Sequence, residues 1–203
     1  MTSTFHAVAI GDAPGVYATD ALAAAGVGAH ALPLRLTCED EDKARAFVAR
    51  LAGVRAVVYT DGACSKNGKP DARAGVGVYW GPDHARNVSR RVLGDQTNNV
   101  AEMEAIECAL DAIAADADLV AAPVAIVSDS SYCINCLTIW HAGFVRRGWK
   151  TASGGDVHNR ALITRVKTKL DSLPAVRLVH VRGHVGHAGN HAADALAVAG
   201  AKA

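Results

Sequence analysis

Several acids in this chain could do chemistry together if the fold brought them close. Asp61 closes the apolar run "RAVVYTD", and Asp129 closes the equally apolar "PVAIVSD". In open α/β sheets ligands collect beyond the carboxyl ends of strands, so two acids in equivalent places point to one cleft. Each also has a simpler reading. Asp61-Gly62 is a turn signal, and Asp129 precedes a helix that it could cap. Further acids come from helices. Glu102 and Glu104 fall in the first turns of "NNVAEMEAIECALDAIAADA", roughly 200° apart on the helix. One of them faces the sheet, and periodicity leaves the choice open. Asp194 sits in "HAADALAVAG", an acid among small apolar residues. Carboxylates gathered at about 4 Å repel one another by about 4 kcal/mol per pair at an effective dielectric near 20. Cations would neutralise them, and all-oxygen ligation selects Mg²⁺ or Mn²⁺ over zinc. Two such ions activate a water and stabilise the leaving oxygen in phosphodiester hydrolysis.

The segment "HVRGHVGHAGNH" supplies His180, His184, His187 and His191. It crosses from strand through a glycine-bearing loop to helix, so the four rings do not share a face and a zinc cluster is disfavoured. A histidine in such a loop beside a metal cleft fits better as a proton or product shuttle. The five cysteines are an odd number without framework spacing, read as reduced thiols of an intracellular protein. Cys133 and Cys136 read as two packed thiols in a helix. No apolar run approaches membrane-spanning length. The first 34 residues hold no Lys or Arg, which excludes an ordinary secretory or mitochondrial leader. The expectation is a soluble protein of the nucleus or cytoplasm. A formal net charge of +1 argues by itself for no partner.

The elements that must position these residues follow from pattern and punctuation. "FHAVAIG" and "GVYAT" are short β-like runs around a glycine turn, and "EDEDKARAFVARLAG" is a helix that Thr37 could cap. Residues 1–50 read as a small α/β unit, joined by a very short linker near Gly53 to a main domain of residues 54–203. There "RAVVYTD", "AGVGVYWG" and "NVSRRVLG" form an antiparallel meander. A long helix follows, capped by Asn98 or Asn99, with Met103, Ile106, Leu110 and Ile113 in one stripe. Then come a strand buried on both faces, "PVAIVSD", helices "SSYCINCLTIWHAG" and "GDVHNRALITRVKTKLDSL", the strand "VRLVHVRG", and a terminal helix. The order βββαβα(α)βα predicts a mixed five-stranded sheet, three antiparallel strands and then parallel ones, with helices on its faces.

A nucleic-acid surface is also written in the chain. "TIWHAGFVRRGWKTAS" interleaves Trp140, Phe144 and Trp149 with Arg146, Arg147 and Lys150. Basic groups neutralise phosphates, and aromatic rings pack on sugars or bases. Asn67, Asn98 and Asn99, in polar loops, suit ribose hydroxyls and base edges.

"YTDGACSKNG", "AGVGVYWGPDHARNVSRRVLGDQTNNVAEMEAIECAL", "VSDSSYCINCLTIW", "RRGWKT" and "HVRGHVGHAGNHAAD" together resemble the ribonuclease H domain of the eukaryotic type 1 ribonuclease H enzymes, over about residues 55–200. The resemblance implies a ribonuclease H-like fold. It implies Asp61, Glu102, Asp129 and Asp194 as catalytic carboxylates binding two Mg²⁺ ions, with Mn²⁺ as a substitute, and so selects Glu102 over Glu104. It implies His184 as the loop histidine that aids product release. Asn67, Asn98 and Asn99 match positions that contact the RNA strand. Trp140, Phe144 and Thr151 match the DNA-strand channel, and Thr97 and Asn159 a phosphate pocket. The implied reaction is endonucleolytic hydrolysis of RNA within an RNA–DNA hybrid by a monomer, leaving 5′-phosphate and 3′-hydroxyl ends. The alternatives are a catalytically weak hybrid-binding module and a nuclease acting on DNA junctions.

The chain departs from the family pattern at three places. Asp95 stands where the phosphate pocket has a basic residue, Phe144 replaces a tryptophan, and His191 replaces an acid. Residues 5–48 are similar in outline to the family's N-terminal hybrid-binding domain. Asp20 stands where its tryptophan is expected, and "LPLRLT" keeps Arg35 alone of the basic grip. Residues 1–50 carry six acidic and four basic side chains. The expectation is a retained fold with little hybrid binding, open to a protein partner.

Overall fold

The computed structural model describes residues 4–29, 32–183 and 187–203, and its backbone builds two sheets. The first has the order β2-β1-β3, all antiparallel, from β1 (Phe5–Ile10), β2 (Gly15–Tyr17) and β3 (Leu34–Cys38). Two helices accompany it, α1 (Asp20–Val27) and α2 (Glu41–Arg50). The two β-like runs are strands as expected. Thr37 is not the cap of α2, because it is paired within β3 opposite His6. The cap is Asp40, whose carboxylate accepts from the Lys43 amide at 3.0 Å. The Ala/Gly-rich stretch forms α1, capped by Thr19.

The second sheet has the order β6-β5-β4-β7-β8. Its strands are β4 (Ala56–Ser65), β5 (Arg73–Tyr79), β6 (Val88–Arg91), β7 (Val124–Ser128) and β8 (Val176–His180). β4, β5 and β6 are antiparallel neighbours, while β7 and β8 join parallel to β4, as the element order predicts. The helices are α3 (Asn98–Ala114), the short α4 (Ala117–Val120), α5 (Ser131–Asn135), α6 (His141–Arg146), α7 (Arg160–Asp171) and α8 (Ala188–Lys202). A π-helical segment, Cys136–Trp140, joins α5 to α6. α3 is capped by Thr97 and not by either asparagine; the Thr97 hydroxyl accepts from the Val100 amide at 3.3 Å.

Strand alternation sorts the core into two layers. Val58 of β4, Ala74, Val76 and Val78 of β5, and Val124 and Ile126 of β7 pack beneath α3 and α7, against Met103, Ile106, Leu110 and Ile163. Their alternates, Val57, Tyr59, Ala125, Val127 and Val179, face the other way. Two things cover that second face. α8 lies on β5 at Gly75 and Gly77, where an added Cβ would stand 2.1 Å from the Ala201 nitrogen and 2.0 Å from the Ala193 oxygen. Beside it the first sheet contributes Ala9, Ile10 and Leu34, with Leu51. The Tyr59 hydroxyl donates to the Pro33 carbonyl at 3.1 Å, and the Arg50 guanidinium donates to the Leu178 carbonyl.

β4 does not end at Asp61. It runs on to Ser65, paired with β5 throughout, and Asp61 stands opposite Gly77. The Asp61-Gly62 pair is therefore strand and not turn; the chain reverses later, where Lys66 and Gly68 adopt positive φ of 53° and 78°. What stops near Asp61 is the parallel partner. β7 pairs with β4 only as far as Val127 opposite Tyr59, so β4 outruns it and Asp61 reaches an open edge.

The glycine face of β5 yields a prediction. Gly77→Ala forces β5 and α8 apart, with an expected loss of about 1–3 kcal/mol of stability, the usual range for overpacking. A urea midpoint equal to that of the unsubstituted protein would contradict the packing described.

Candidate active site

Three acids converge at that open edge. Asp61 comes from β4, Glu102 from the second turn of α3, and Asp129 from the residue after β7. One oxygen of each lies within 4.8 Å of the others. Asp61 is 6% exposed and Glu102 5%. Backbone contact explains the closeness of the first two. An added Cβ on Gly62 would stand 2.2 Å from the Glu102 nitrogen, so only glycine lets α3 rest on β4 there. The Glu102/Glu104 choice is settled by the same helix face. Glu104 turns to Arg90 of β6, at 2.9 Å, while Glu102 turns into the cluster.

Asp129 is held without being consumed. The helix behind it is capped by Ser130, which accepts from the Cys133 amide at 3.3 Å, so the Asp129 carboxylate is free for the cluster. Asn190 of α8 donates to Asp129 Oδ2 at 3.1 Å, and His180 Nε2 lies 3.2 Å from the Asp129 carbonyl and 2.8 Å from the Ser131 hydroxyl. Asn190 is buried, and sequence reasoning missed it. Its one signal is the spacing of four from Asp194, one turn of the same helix.

The electrostatics are those of a site built for cations. Burial, then the Asp129 charge, raise the Asp61 carboxyl to about 7. Burial, followed by Asp61 and Asp129, holds Glu102 well above the usual carboxylate range. Asp194 is half-buried on α8 and also raises Asp61, though it lies outside the tight triad. Like charges 4.8 Å apart repel by about 3.5 kcal/mol at an effective dielectric of 20. Glu102 Oε2 is buried with no hydrogen-bond partner among the described residues. An orphaned buried oxygen beside two further carboxylates fits a hard divalent cation. Among the described residues this is the one such convergence of His, Cys, Asp or Glu, and His180, His187 and His191 take no part in one. His184 lies outside the described residues. All five cysteines are unpaired, and Cys133 and Cys136 are buried as expected.

The remaining expected site residues fall into two groups. Asn67, Thr97, Asn99 and Asn159 line one cleft of about 850 Å³, together with Lys69, Asp95 and His158. Asn67 Oδ1 accepts from the Asn98 amide at 3.2 Å, tying the β4–β5 turn to the start of α3. Lys69 and His158 are cleft residues that the sequence did not single out. The second group is the aromatic and basic segment. Trp140 is exposed and meets Phe144 edge-on at 6.4 Å between centroids. Phe144 itself is 7% exposed and belongs to the main core, so it supports Trp140 from beneath and does not present a ring to solvent. Trp149 is half-buried under the Arg160 guanidinium at 5.1 Å. Arg146 and Arg147 are exposed, Lys150 pairs with Asp156 at 2.6 Å, and Thr151 bonds Ser153 at 3.1 Å.

Fold and site together define an α/β protein with a carboxylate centre for divalent cations at the edge of a mixed sheet. The RNase H family model matches residues 54–202, and the chain belongs to that family. It is 41% identical over 150 residues to Ribonuclease H1 of Rattus norvegicus, covering 74% of this chain and 51% of the relative. It is 39% identical to a Ribonuclease H of Cyanothece sp. over 143 residues, 69% of this chain and 85% of that one. The chain thus spans about half the length of the mammalian relatives it matches. Among solved structures, LC9-RNase H1, a type 1 RNase H, is 32% identical with a TM-score of 0.54, over 72% of each chain.

The raised Asp61 predicts a pH effect. Its folded value lies above the unfolded one, so the folded, metal-free protein binds that proton more tightly than the unfolded chain does. The resulting stabilisation is complete below the unfolded value of about 4 and is lost as pH climbs to about 7. In chelator the melting temperature therefore falls between those limits, and Asp61→Asn flattens part of the fall. A midpoint that rises over that range would refute the assignment.

Proposed function

We propose that this protein hydrolyses the RNA strand of RNA–DNA hybrids, leaving 5′-phosphate and 3′-hydroxyl ends. The observation that carries the reading is the buried triad of Asp61, Glu102 and Asp129, with its orphaned Glu102 oxygen, on an RNase H frame. Asp61, Glu102, Asp129 and Asp194 would hold two Mg²⁺ ions, or Mn²⁺ in their place. Such ions neutralise the acids, activate the attacking water and stabilise the leaving oxygen. The chain's own residues supply the rest. Asn190 and His180 fix Asp129 in place, and the short Gly62 contact fixes Asp61 against Glu102. Asn67, Asn98 and Asn99 read the ribose-bearing strand across the α3 N-terminus. Trp140, with Phe144 behind it, and Arg146, Arg147, Trp149, Lys150 and Thr151 grip the DNA strand.

His184, outside the described residues, serves product release. The cleft of Thr97 and Asn159 takes a DNA phosphate, with Lys69 supplying a positive charge opposite Asp95. Residues 54–203 form the catalytic domain. Residues 1–50 form the smaller unit, which contributes little to hybrid affinity and is open to a protein partner. A monomer in the nucleus or cytoplasm suits five unpaired thiols. Among the described residues no helix is long and apolar enough to cross a membrane.

Cleavage of end-labelled RNA in a hybrid, compared with duplex DNA, tests the reading. With Mg²⁺ the unsubstituted protein cuts the hybrid alone. Asp129→Asn and Glu102→Gln each lower the rate by about 10³-fold or more, as loss of charge at a metal centre does. Hybrid binding without metal-dependent cutting would instead make the chain a binding module.

A second expectation concerns the phosphate cleft. Asp95→Arg removes a like charge and adds a donor, lowering KM for hybrid by about 3- to 10-fold with kcat little changed. An unchanged KM would place the DNA phosphate elsewhere.

A further inference from the structure

One arginine joins the phosphate cleft to the aromatic and basic segment. Arg160 is the first residue of α7 and directly follows Asn159, which lines the cleft. Its guanidinium stands over the Trp149 ring, 5.1 Å from the centroid. A short hairpin brings the two together. The Trp149 carbonyl accepts from the Val157 amide at 3.0 Å, Lys150 bridges to Asp156, and the Thr151 amide donates to the Gly155 carbonyl at 2.8 Å. Trp149 enters this hairpin with a φ of 65°, a left-handed backbone that a bulky residue rarely adopts.

Arg160 is exposed, and among the described residues its guanidinium makes no ion pair or hydrogen bond. Neighbouring cations are differently placed: Lys150 is paired with Asp156 at 2.6 Å, and Arg165 with Glu107 at 2.7 Å. Local rules disfavour a cation where Arg160 stands, since the first turn of a helix is its positive end. The first turn of α7 holds no acid to offset it, and Asn159 makes no capping side-chain bond. Ring contacts then tie this arginine to the exposed Trp140. Trp149 lies 6.0 Å from Phe144, and Phe144 lies 6.4 Å from Trp140. Tyr132, which lines the cleft, meets Trp140 edge-on at 6.1 Å. The cleft is thus linked to Trp140 along two borders, one through Tyr132 and one through Arg160, Trp149 and Phe144.

We propose that Arg160 binds the DNA phosphate beside the one in the cleft, on the side toward Trp140, with Trp149 as the platform that holds its guanidinium in place. The inference rests on the proposed hydrolysis of hybrids and adds a determinant of substrate affinity to it. An arginine resting on an aromatic ring keeps its planar fork of donors for a phosphate, at little further cost in side-chain freedom. The positive charge absent at Asp95 is in this way supplied one nucleotide along the strand. A lysine at the same position keeps the charge but loses the fork.

The test measures binding of a fluorescein-labelled RNA–DNA hybrid to the full chain carrying Asp129→Asn, across KCl concentrations of about 50 to 200 mM. Adding Arg160→Gln is expected to weaken binding by about 3- to 10-fold and to reduce the slope of log K against log salt by about 0.9, the share of one phosphate. Arg160→Lys binds more weakly than arginine with the slope retained. A neutral methylphosphonate is then moved along the DNA strand. At one position it weakens binding to the chain with Arg160 and leaves Arg160→Gln unaffected. A merely structural role for Arg160 produces neither the change of slope nor that single position. The proposal is overturned if Arg160→Gln keeps the full slope, or if the sensitive position is missing from the DNA strand. Failure of the underlying reading looks different, because a chain with Arg160 intact then binds no hybrid at all, and both fall together.

Discussion

Everything near the site answers to one constraint: three carboxylates must sit within 4.8 Å of one another in surroundings that disfavour their charge. Left alone, such groups would move apart, take up protons or draw in water. The protein denies them the first escape by giving each a different rigid support. β4 continues past its parallel partner so that Asp61 is flanked by strand on one side and open on the other. α3 is brought to backbone contact at Gly62, and Ser130 assumes the capping duty that would have occupied Asp129. The protons and cations that resolve the conflict are then matters of pH and supply, not of conformation.

Much of this was legible in the chain, and the illegible parts share a cause. The two apolar runs ending in acids placed Asp61 and Asp129 on neighbouring strands, and the order of elements gave the mixed sheet. Local signals failed where a close approach decided the outcome. Asp61-Gly62 has the composition of a turn, but its glycine serves a contact with a helix forty residues away, and no window of sequence contains both. The Glu102/Glu104 choice is of the same kind, since an angle along a helix axis does not say which side meets the sheet. Asn190 left little trace, because a single amide one turn from an acid is common on helix surfaces. Phe144 misleads in the other direction. Its basic neighbours read as an exposed surface, while its own ring is in the core.

The continuous apolar run of β7 correctly announced a strand covered on both faces, without saying by what. α3 and its neighbours cover one side. On the other, α8 covers only the part of the sheet where Gly75 and Gly77 let it settle, and residues of the first sheet cover the rest. Tyr59 links these facts. Two residues before Asp61, it packs in that second layer against Gly189 of α8 and donates its hydroxyl to Pro33. The strand that carries the first acid is thus anchored from behind by both coverings at once.

If the protein holds a duplex as proposed, that anchorage limits how a second grip could act. Two grips joined by a slack tether gain strength because the second always finds its target at high local concentration, over many spacings. Here the connection from α2 to β4 is a few residues long, and the parts it joins are pinned by Tyr59 to Pro33 and by Arg50 to Leu178. Any second foothold on the same duplex would be available at one distance and one angle only. The molecule behaves in this respect as a caliper with a locked jaw, and not as a pair of hands on a rope.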